Sequence, residues 1–282
     1  MLDAIGHLTE NHYLCSRKTL FFEIVKIQDV VTTLERFAPL PLQESYDNAG
    51  LQVGLTAAEV SGVLLCLDVT EAVIDEAVRL DCNLVVAHHP LLFRPLRRVG
   101  GDTQAERCVR LAVRHDVAVY AAHTNLDNQL GGVNDEMARR LGLSHVVRLQ
   151  PHPQGGGAGV MGKLEEPMSA QSFLALAKEV FGVACLQHNQ LLNREVRMVG
   201  LCGGAGDFLL PEAVAQGCDA FLTGEMHYHQ YFGYENVIQI GVLGHYQSEQ
   251  FTPHLMQRIL HAEWPDLRTH VTSVATNPIH YM

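Results

Sequence analysis

Leu84-Val-Val-Ala87 runs directly into His88-His89-Pro90. A continuous apolar run of this length, bounded by a breaker, reads as a buried strand covered on both faces, the setting of a parallel sheet. Proline ends the ladder because it has no N–H to donate. His88 and His89 are therefore placed at the carboxyl end of a buried strand, where open α/β sheets bind their ligands. Adjacent side chains on a strand point to opposite faces. The two histidines serve one metal ion only where the strand has ended, and they suit two ions side by side better. Such a strand also obliges the chain to supply helices for both faces of its sheet.

The rest of the sequence meets that demand. Helical spacing covers Ile27–Phe37, and Pro39 and Pro41 stop it. Leu51–Val53 reads as a short strand and Val60–Leu67 as a buried one. A helix to about Leu80 follows, with Asp68 as N-cap and Glu71 as its capping-box partner. Helices at Gln104–His115 and Val133–Leu141 flank a strand at Val117–Ala121. Beyond Pro151–Gly157, the best linker candidate, strands near Gly159–Leu164, at Val196–Cys202, Ala220–Thr223 and Val237–Ile240 and near His270–Val274 alternate with helices at Ser169–Phe181, Asp207–Gln216 and Ser248–His261. Strand alternating with helix defines an α/β protein.

The second half echoes the first. Leu65–Cys82 aligns without gaps on Leu201–Cys218, with Leu65, Cys66, Glu76, Ala77, Val78 and Cys82 falling on Leu201, Cys202, Glu212, Ala213, Val214 and Cys218. The repeated unit is strand–helix–strand, the mark of a duplicated module. The same offset sets His88-His89 against Gly224-Glu225, so the halves share scaffolding and differ at the strand end.

Composition removes several function classes. The 282 residues allow one large or two modest domains. A net charge of −11 argues against a nucleic-acid surface built on phosphate contacts. No apolar run reaches the length of a membrane span. Seven cysteines without a C-x-x-C pattern read as reduced thiols of a cytoplasmic protein. Met1–Ile24 fits neither a signal peptide nor a transit peptide and is assigned no function. Sixteen histidines, by contrast, favour metal binding.

Two further histidines sit just past buried strands, each with a carboxylate four residues on: His123-Thr-Asn-Leu-Asp127 and His245-Tyr-Gln-Ser-Glu249. On a helical turn such residues face the same way. Imidazole with carboxylate is a ligand set for zinc, iron or manganese. One such pair alone is more often a salt bridge or a cap; three features converging at strand ends point to a metal site. His227-Tyr-His229 is either a solvated helix start or a source of substrate contacts. Gly203-Gly-Ala-Gly206 is either an anion-binding helix start or a tight strand-to-helix turn. Ser45–Gly50 is turn chemistry, in which Asp47 and Asn48 are polar enough to line a pocket.

Six motifs in this order resemble the NIF-three-like proteins, also called GTP cyclohydrolase 1 type 2 homologs: Tyr46-Asp-Asn-Ala-Gly-Leu-Gln-Val-Gly54, Ala87-His-His-Pro90, His123-Thr-Asn-Leu-Asp127, Gly203-Gly-Ala-Gly206, Thr223-Gly-Glu225 and Gly244-His-Tyr-Gln-Ser-Glu249. The resemblance runs from about Val25 to the C-terminus. It implies two intertwined three-layer α/β modules with mixed sheets. It also implies a dinuclear metal centre held by His88, His89, Asp127, His245 and Glu249, and a homohexameric ring with the sites facing an internal cavity. Only about seventy residues separate Gln150 from Phe221, the short form without a central insertion. On this reading residues 25–150 and 225–282 form the metal-binding domain and residues 151–224 the duplicated module.

The expected function is hydrolysis of a small phosphorylated or heterocyclic substrate by a water bridging two divalent ions, whether zinc, iron or manganese. His123 and Glu225 are the candidates for moving protons or orienting that water. A non-catalytic metal-binding protein and an iron-dependent oxidase using the same ligands are the rival readings.

Overall fold

The computed structural model describes residues 24–282, so the N-terminal extension lies outside it but for its last residue. In the first half the chain runs α1 (Ile27–Phe37), β1 (Gly50–Val53), β2 (Val63–Cys66), α2 (Glu71–Arg79), β3 (Leu84–Ala87), α3 (Gln104–Arg114), β4 (Ala118–Ala121), α4 (Thr124–Asn128) and α5 (Val133–Arg140). The second half continues with β5 (Ser144–Pro151), β6 (Gly157–Ser169), α6 (Ala170–Val180), β7 (Gln187–His188), β8 (Glu195–Cys202), α7 (Leu210–Ala215), β9 (Ala220–Thr223), β10 (Gln239–Val242), α8 (His245–Glu249), α9 (Thr252–Glu263) and β11 (Thr269–Val271).

Strands β2, β3 and β4 are buried along their whole length, as continuous apolar runs must be when both faces are covered. They pair in parallel within a five-stranded sheet of order β1-β4-β3-β2-β11, with β1 antiparallel at its edge. The second sheet has six strands in the order β5-β6-β8-β9-β10-β7; its centre, β8-β9-β10, is parallel and its margins are antiparallel.

Alternation along each strand sends side chains to two cores. Leu64, Cys66, Val85 and Ala87 pack on α2 and α3. Val63, Leu65, Leu84 and Val86 join a larger core that also takes in Val199, Leu201 and Leu222 of the second sheet. Phe221, Ile240 and Val242 point the other way, onto Leu210 and Ala213 of α7. Each sheet is thus covered on both faces, and one shared core ties the two modules together.

Four expectations change. Pro151–Gly157 is not a linker: β5 and β6 pair across it, Pro151 opposite Gly157, so its glycines turn a hairpin inside the second sheet. β10, grouped by sequence with the metal-binding domain, is hydrogen-bonded to β9 in the second sheet. Asp68 does not cap α2; the Thr70 hydroxyl accepts the Val73 N–H instead. The helix expected over Ser248–His261 is two helices, the second carrying Pro253 in its first turn, where a missing N–H costs nothing.

Candidate metal centre

The site forms where the carboxyl ends of β3 and β4 meet the carboxyl end of β10. His88 and His89 directly follow β3, their N–H groups still donating to Cys66 and Leu67 of the neighbouring strand. Asp127 lies on α4 after β4, and His245 and Glu249 lie on α8 after β10. The C-terminal part of the chain therefore returns to the first sheet's strand ends.

Each of the three histidines has one ring nitrogen tied away from the centre. His88 Nδ1–H donates to the Ala122 carbonyl at 2.8 Å. His89 Nδ1–H donates to Asp68 Oδ1 at 2.7 Å, and His245 Nδ1–H to Glu225 Oε1 at 2.9 Å. Such outer bonds fix tautomer and ring orientation and raise ligand basicity. They leave the three Nε2 atoms directed at the carboxylates. His89 Nε2 stands 3.0 Å from Glu249 Oε2, His245 Nε2 stands 3.2 Å from the same oxygen, and the two nitrogens are 3.2 Å apart. Ligand atoms around a tetrahedral ion at the usual 2.0–2.1 Å are about 3.3 Å from one another. On the other side His88 Nε2 lies 3.6 Å from Asp127 Oδ1 and 3.8 Å from Glu249 Oε1.

His88 Nε2 and Asp127 Oδ1 are buried with no hydrogen-bond partner. Orphaned polar atoms of this kind are costly, and a bound ion would relieve both of them at once. Donor atoms of His88, His89 and Glu249 all lie within 4.8 Å of one another, close enough to hold a metal ion.

The protonation pattern reflects the crowding. Burial pushes His88 below its usual pKa. Burial also opposes charge on His89 and His245, but their hydrogen bonds to carboxylates win and hold them up at about 10 and about 9. Burial and the charge of Glu249 raise Asp127 well above the ordinary carboxylate range. Glu249 is held well below it, because the three imidazoles around it outweigh burial.

Of the other sequence candidates, His123 stands beside the cluster. Its ring centroid is 5.4 Å from that of His88 and 5.5 Å from that of His89, and its Nδ1 is bonded to Asp47 Oδ1 at 2.7 Å. Asp47 thus orients a histidine rather than lining the cavity. Glu225 holds the His245 ring. Gly203–Gly206 is a turn: the N–H groups of Gly203, Gly204 and Gly206 are taken by Asn134 Oδ1, Ser248 Oγ and Thr223 Oγ1, leaving none of these three for an anion. His227 is exposed and faces Asp207, and neither it nor His229 lines the cavity. The residue missed by sequence reasoning is Asp68. Its role follows from strand register, which local sequence does not fix: Cys66 and Ala87 are level in adjacent parallel strands, so Asp68 and His89, two beyond each, are neighbours.

Two mixed sheets joined by one core, with a histidine–carboxylate cluster at the facing strand ends, define the class of protein. Residues 25–278 match the family described as Duf34/NIF3 (NGG1p interacting factor 3). The chain is 34% identical over 235 residues to a GTP cyclohydrolase 1 type 2 homolog of Lactococcus lactis, covering 80% of this chain and 88% of that one. It is 31% identical over 241 residues to the NIF3-like protein 1 of Drosophila melanogaster, covering 83% and 81%. A crystal structure of a hypothetical protein from Staphylococcus aureus shares the fold, with a TM-score of 0.85 at 24% identity over 92% of this chain and 100% of that one. The chain belongs to the Duf34/NIF3 family. Among the described residues no helix is long and apolar enough to cross a membrane.

Proposed function

We propose that His88, His89, Asp127, His245 and Glu249 hold two divalent metal ions and that the protein is a metal-dependent hydrolase of a small phosphorylated or heterocyclic substrate. The observation that carries this reading is the convergence of three Nε2 atoms, each with its Nδ1 tethered outward, on two carboxylates, with His88 Nε2 and Asp127 Oδ1 otherwise unpaired. Zinc, iron and manganese all accept this donor set.

A pair of such ions supplies a water of lowered pKa and a polarising charge for the bond to be broken. The chain supplies orientation and proton handling. Asp68 and Glu225 hold the rings of His89 and His245 from outside. His123, fixed by Asp47 through Nδ1, keeps Nε2 for accepting or returning a proton beside the cluster. The same reading takes the protein to be cytoplasmic and homohexameric, and light scattering on the purified chain checks the oligomeric state.

Elemental analysis of untagged protein from native cells is the first test, with two ions per chain as the expected result. Glu249→Ala and His89→Ala should each lose metal while keeping the circular dichroism of the parent. Full metal content in both variants overturns the ligand assignment. Hydrolysis of a nucleoside or phosphoester panel that disappears in Glu249→Ala supports the catalytic half of the reading. Tight metal binding with no turnover on any member of the panel refutes that half.

A further inference from the structure

The cluster forms the floor of a cavity of about 510 Å³. Its charge is one-sided. Glu44, Asp68, Asp127, Glu225 and Glu249 line it, and no lysine or arginine of the described residues does. Two divalent ions carry one charge fewer than those five carboxylates, so a fully loaded centre still offers a polyanion no positive excess. Arg94, Arg97 and Arg98 follow Phe93 on one loop, but they are exposed and do not line the cavity, where water and salt screen them.

The walls, by contrast, suit a flat ring. Tyr46 and Phe93 meet edge to face with centroids 6.4 Å apart, Phe93 and His123 likewise at 6.1 Å, and His123 and His88 at 5.4 Å. In an edge-to-face pair one ring covers a single face of the other, and the remaining faces stay open to stacking. This line of rings brings Tyr46, Phe93 and His123 to the cavity beside His89 and His245, while His88 is fully buried and does not line it. Phe208 and Ile279 add apolar surface to the same cavity, and all four apolar or aromatic residues at its mouth are substantially exposed: Tyr46 63%, Phe93 43%, Phe208 53% and Ile279 51%. Apolar walls with a few convergent polar groups are the usual make-up of a small-molecule site. Glu44 and Glu225, outside the proposed ligand set, each have only one oxygen engaged, by Asn128 and His245; the other accepts hydrogen bonds, which matches ring N–H and exocyclic amino groups and not phosphate oxygens.

We propose that the cavity takes an uncharged planar heteroaromatic compound, of the size of a nucleobase or nucleoside, and discriminates against its phosphorylated forms. This rests on the metal-centre reading for what occupies the floor and chooses between the two substrate classes left open there.

The test is calorimetric titration of the metal-loaded chain with guanosine, GMP and GTP, which share one ring and differ in charge, alongside elemental analysis of the same sample. Guanosine should bind at least tenfold more tightly than GTP, with GMP between them, and the gap should narrow as salt is raised from 50 to 300 mM, because salt screens the repulsion between the carboxylates and the phosphates. Phe93→Leu, which keeps bulk at an exposed position and removes the ring, should weaken guanosine at least fivefold with metal content unchanged. Tighter binding of GTP than of guanosine, failure of all three to bind the loaded chain, or a Phe93→Leu variant that binds guanosine as the parent does would each overturn the proposal. If the chain holds no metal yet still prefers guanosine, the metal reading falls and the cavity preference stands.

Discussion

Asp68 offers the sharpest test of how the centre is built, because it touches His89 without belonging to the proposed ligand set. Its Oδ1 accepts from His89 Nδ1 at 2.7 Å, and its Oδ2 accepts from the Thr276 hydroxyl at 2.7 Å. Asp68→Asn keeps the size and an acceptor oxygen but removes the charge that makes the imidazole more basic. Outer partners of this kind change metal affinity by roughly 10–100-fold, or about 1.4–2.8 kcal/mol. The metal-free fold loses less. A charge-assisted bond of about 1.5–3 kcal/mol is replaced by a neutral one of about 1 kcal/mol, so melting should fall by only a few degrees. Competition against a chromophoric zinc chelator measures the first effect and thermal melts of metal-free protein the second. Asp81→Asn is the control, since Asp81 is exposed and its 3.1 Å pair with Arg268 lies away from the cavity. Zinc affinity within twofold of the parent in Asp68→Asn, with an intact melt, would refute the orienting role.

Three more outcomes are expected. With His89 and His245 held at about 10 and about 9, metal must displace at least one proton at neutral pH. Affinity should therefore rise about tenfold per pH unit for each proton displaced between pH 6 and 8, and calorimetry in two buffers of different ionisation enthalpy counts the protons; a flat profile contradicts the protonated cluster. For Asp47, burial alone would raise the pKa, but the bonds from His123 and Thr124 outweigh it and lower it from 3.8 to about 2. A depressed folded value gives stability that is present above the unfolded pKa and lost as pH falls, here about 2 kcal/mol at pH 5. Urea unfolding of metal-free Asp47→Asn should show a deficit that shrinks by about half from pH 5 to pH 3, and a constant deficit would rule this out. Gly204 has φ +59°, and a Cβ there would lie 2.5 Å from Glu249 Oε1. Gly204→Ala should cost about 1–2 kcal/mol in backbone strain and also weaken zinc by turning the carboxylate. Unchanged affinity in the folded variant would mean that Glu249 is not held where the parent places it.

What the sequence revealed follows the range of each signal. The buried strands and the helices after them were readable because continuous apolar runs and helical periodicity are local and strong: α1 was expected over the residues it occupies, and β3, β4 and β9 within one residue. Local rules failed where tertiary contact competes. Asp68 looks like an N-cap until His89 is placed beside it. Pro151–Gly157 looks like a linker because glycine and proline mark a hairpin turn and a flexible joint alike. β5 went unread since five of its eight residues are exposed and Pro151 ends it, and β7 is only two residues long. Of the cluster, the four histidines at strand ends were legible from spacing. Asp127 and Glu249 were legible from the same spacing, and setting His123 aside came from family resemblance. The reason lies in Asp47, some seventy residues upstream, which turns the His123 ring.

The two modules keep the same strand register: Val63 pairs with Leu84 in the first sheet and Val199 with Ala220, each 136 residues on, in the second. They differ beyond the strand ends, and there the differences are complementary. Where the first module has Asp68, the second has Gly204, whose missing side chain leaves room for the Glu249 carboxylate. Where the first has His88, the second has Gly224, and a Cβ at that position would lie 2.6 Å from both the Gly204 carbonyl and Ser248 Oγ of α8. Where the first has His89, the second has Glu225, which bonds His245 as Asp68 bonds His89. A symmetric pair of His-His strand ends would fill the space that α8 occupies. The asymmetry is what lets one module present histidines while the other stands back, so that the helix after β10 can reach across with His245 and Glu249.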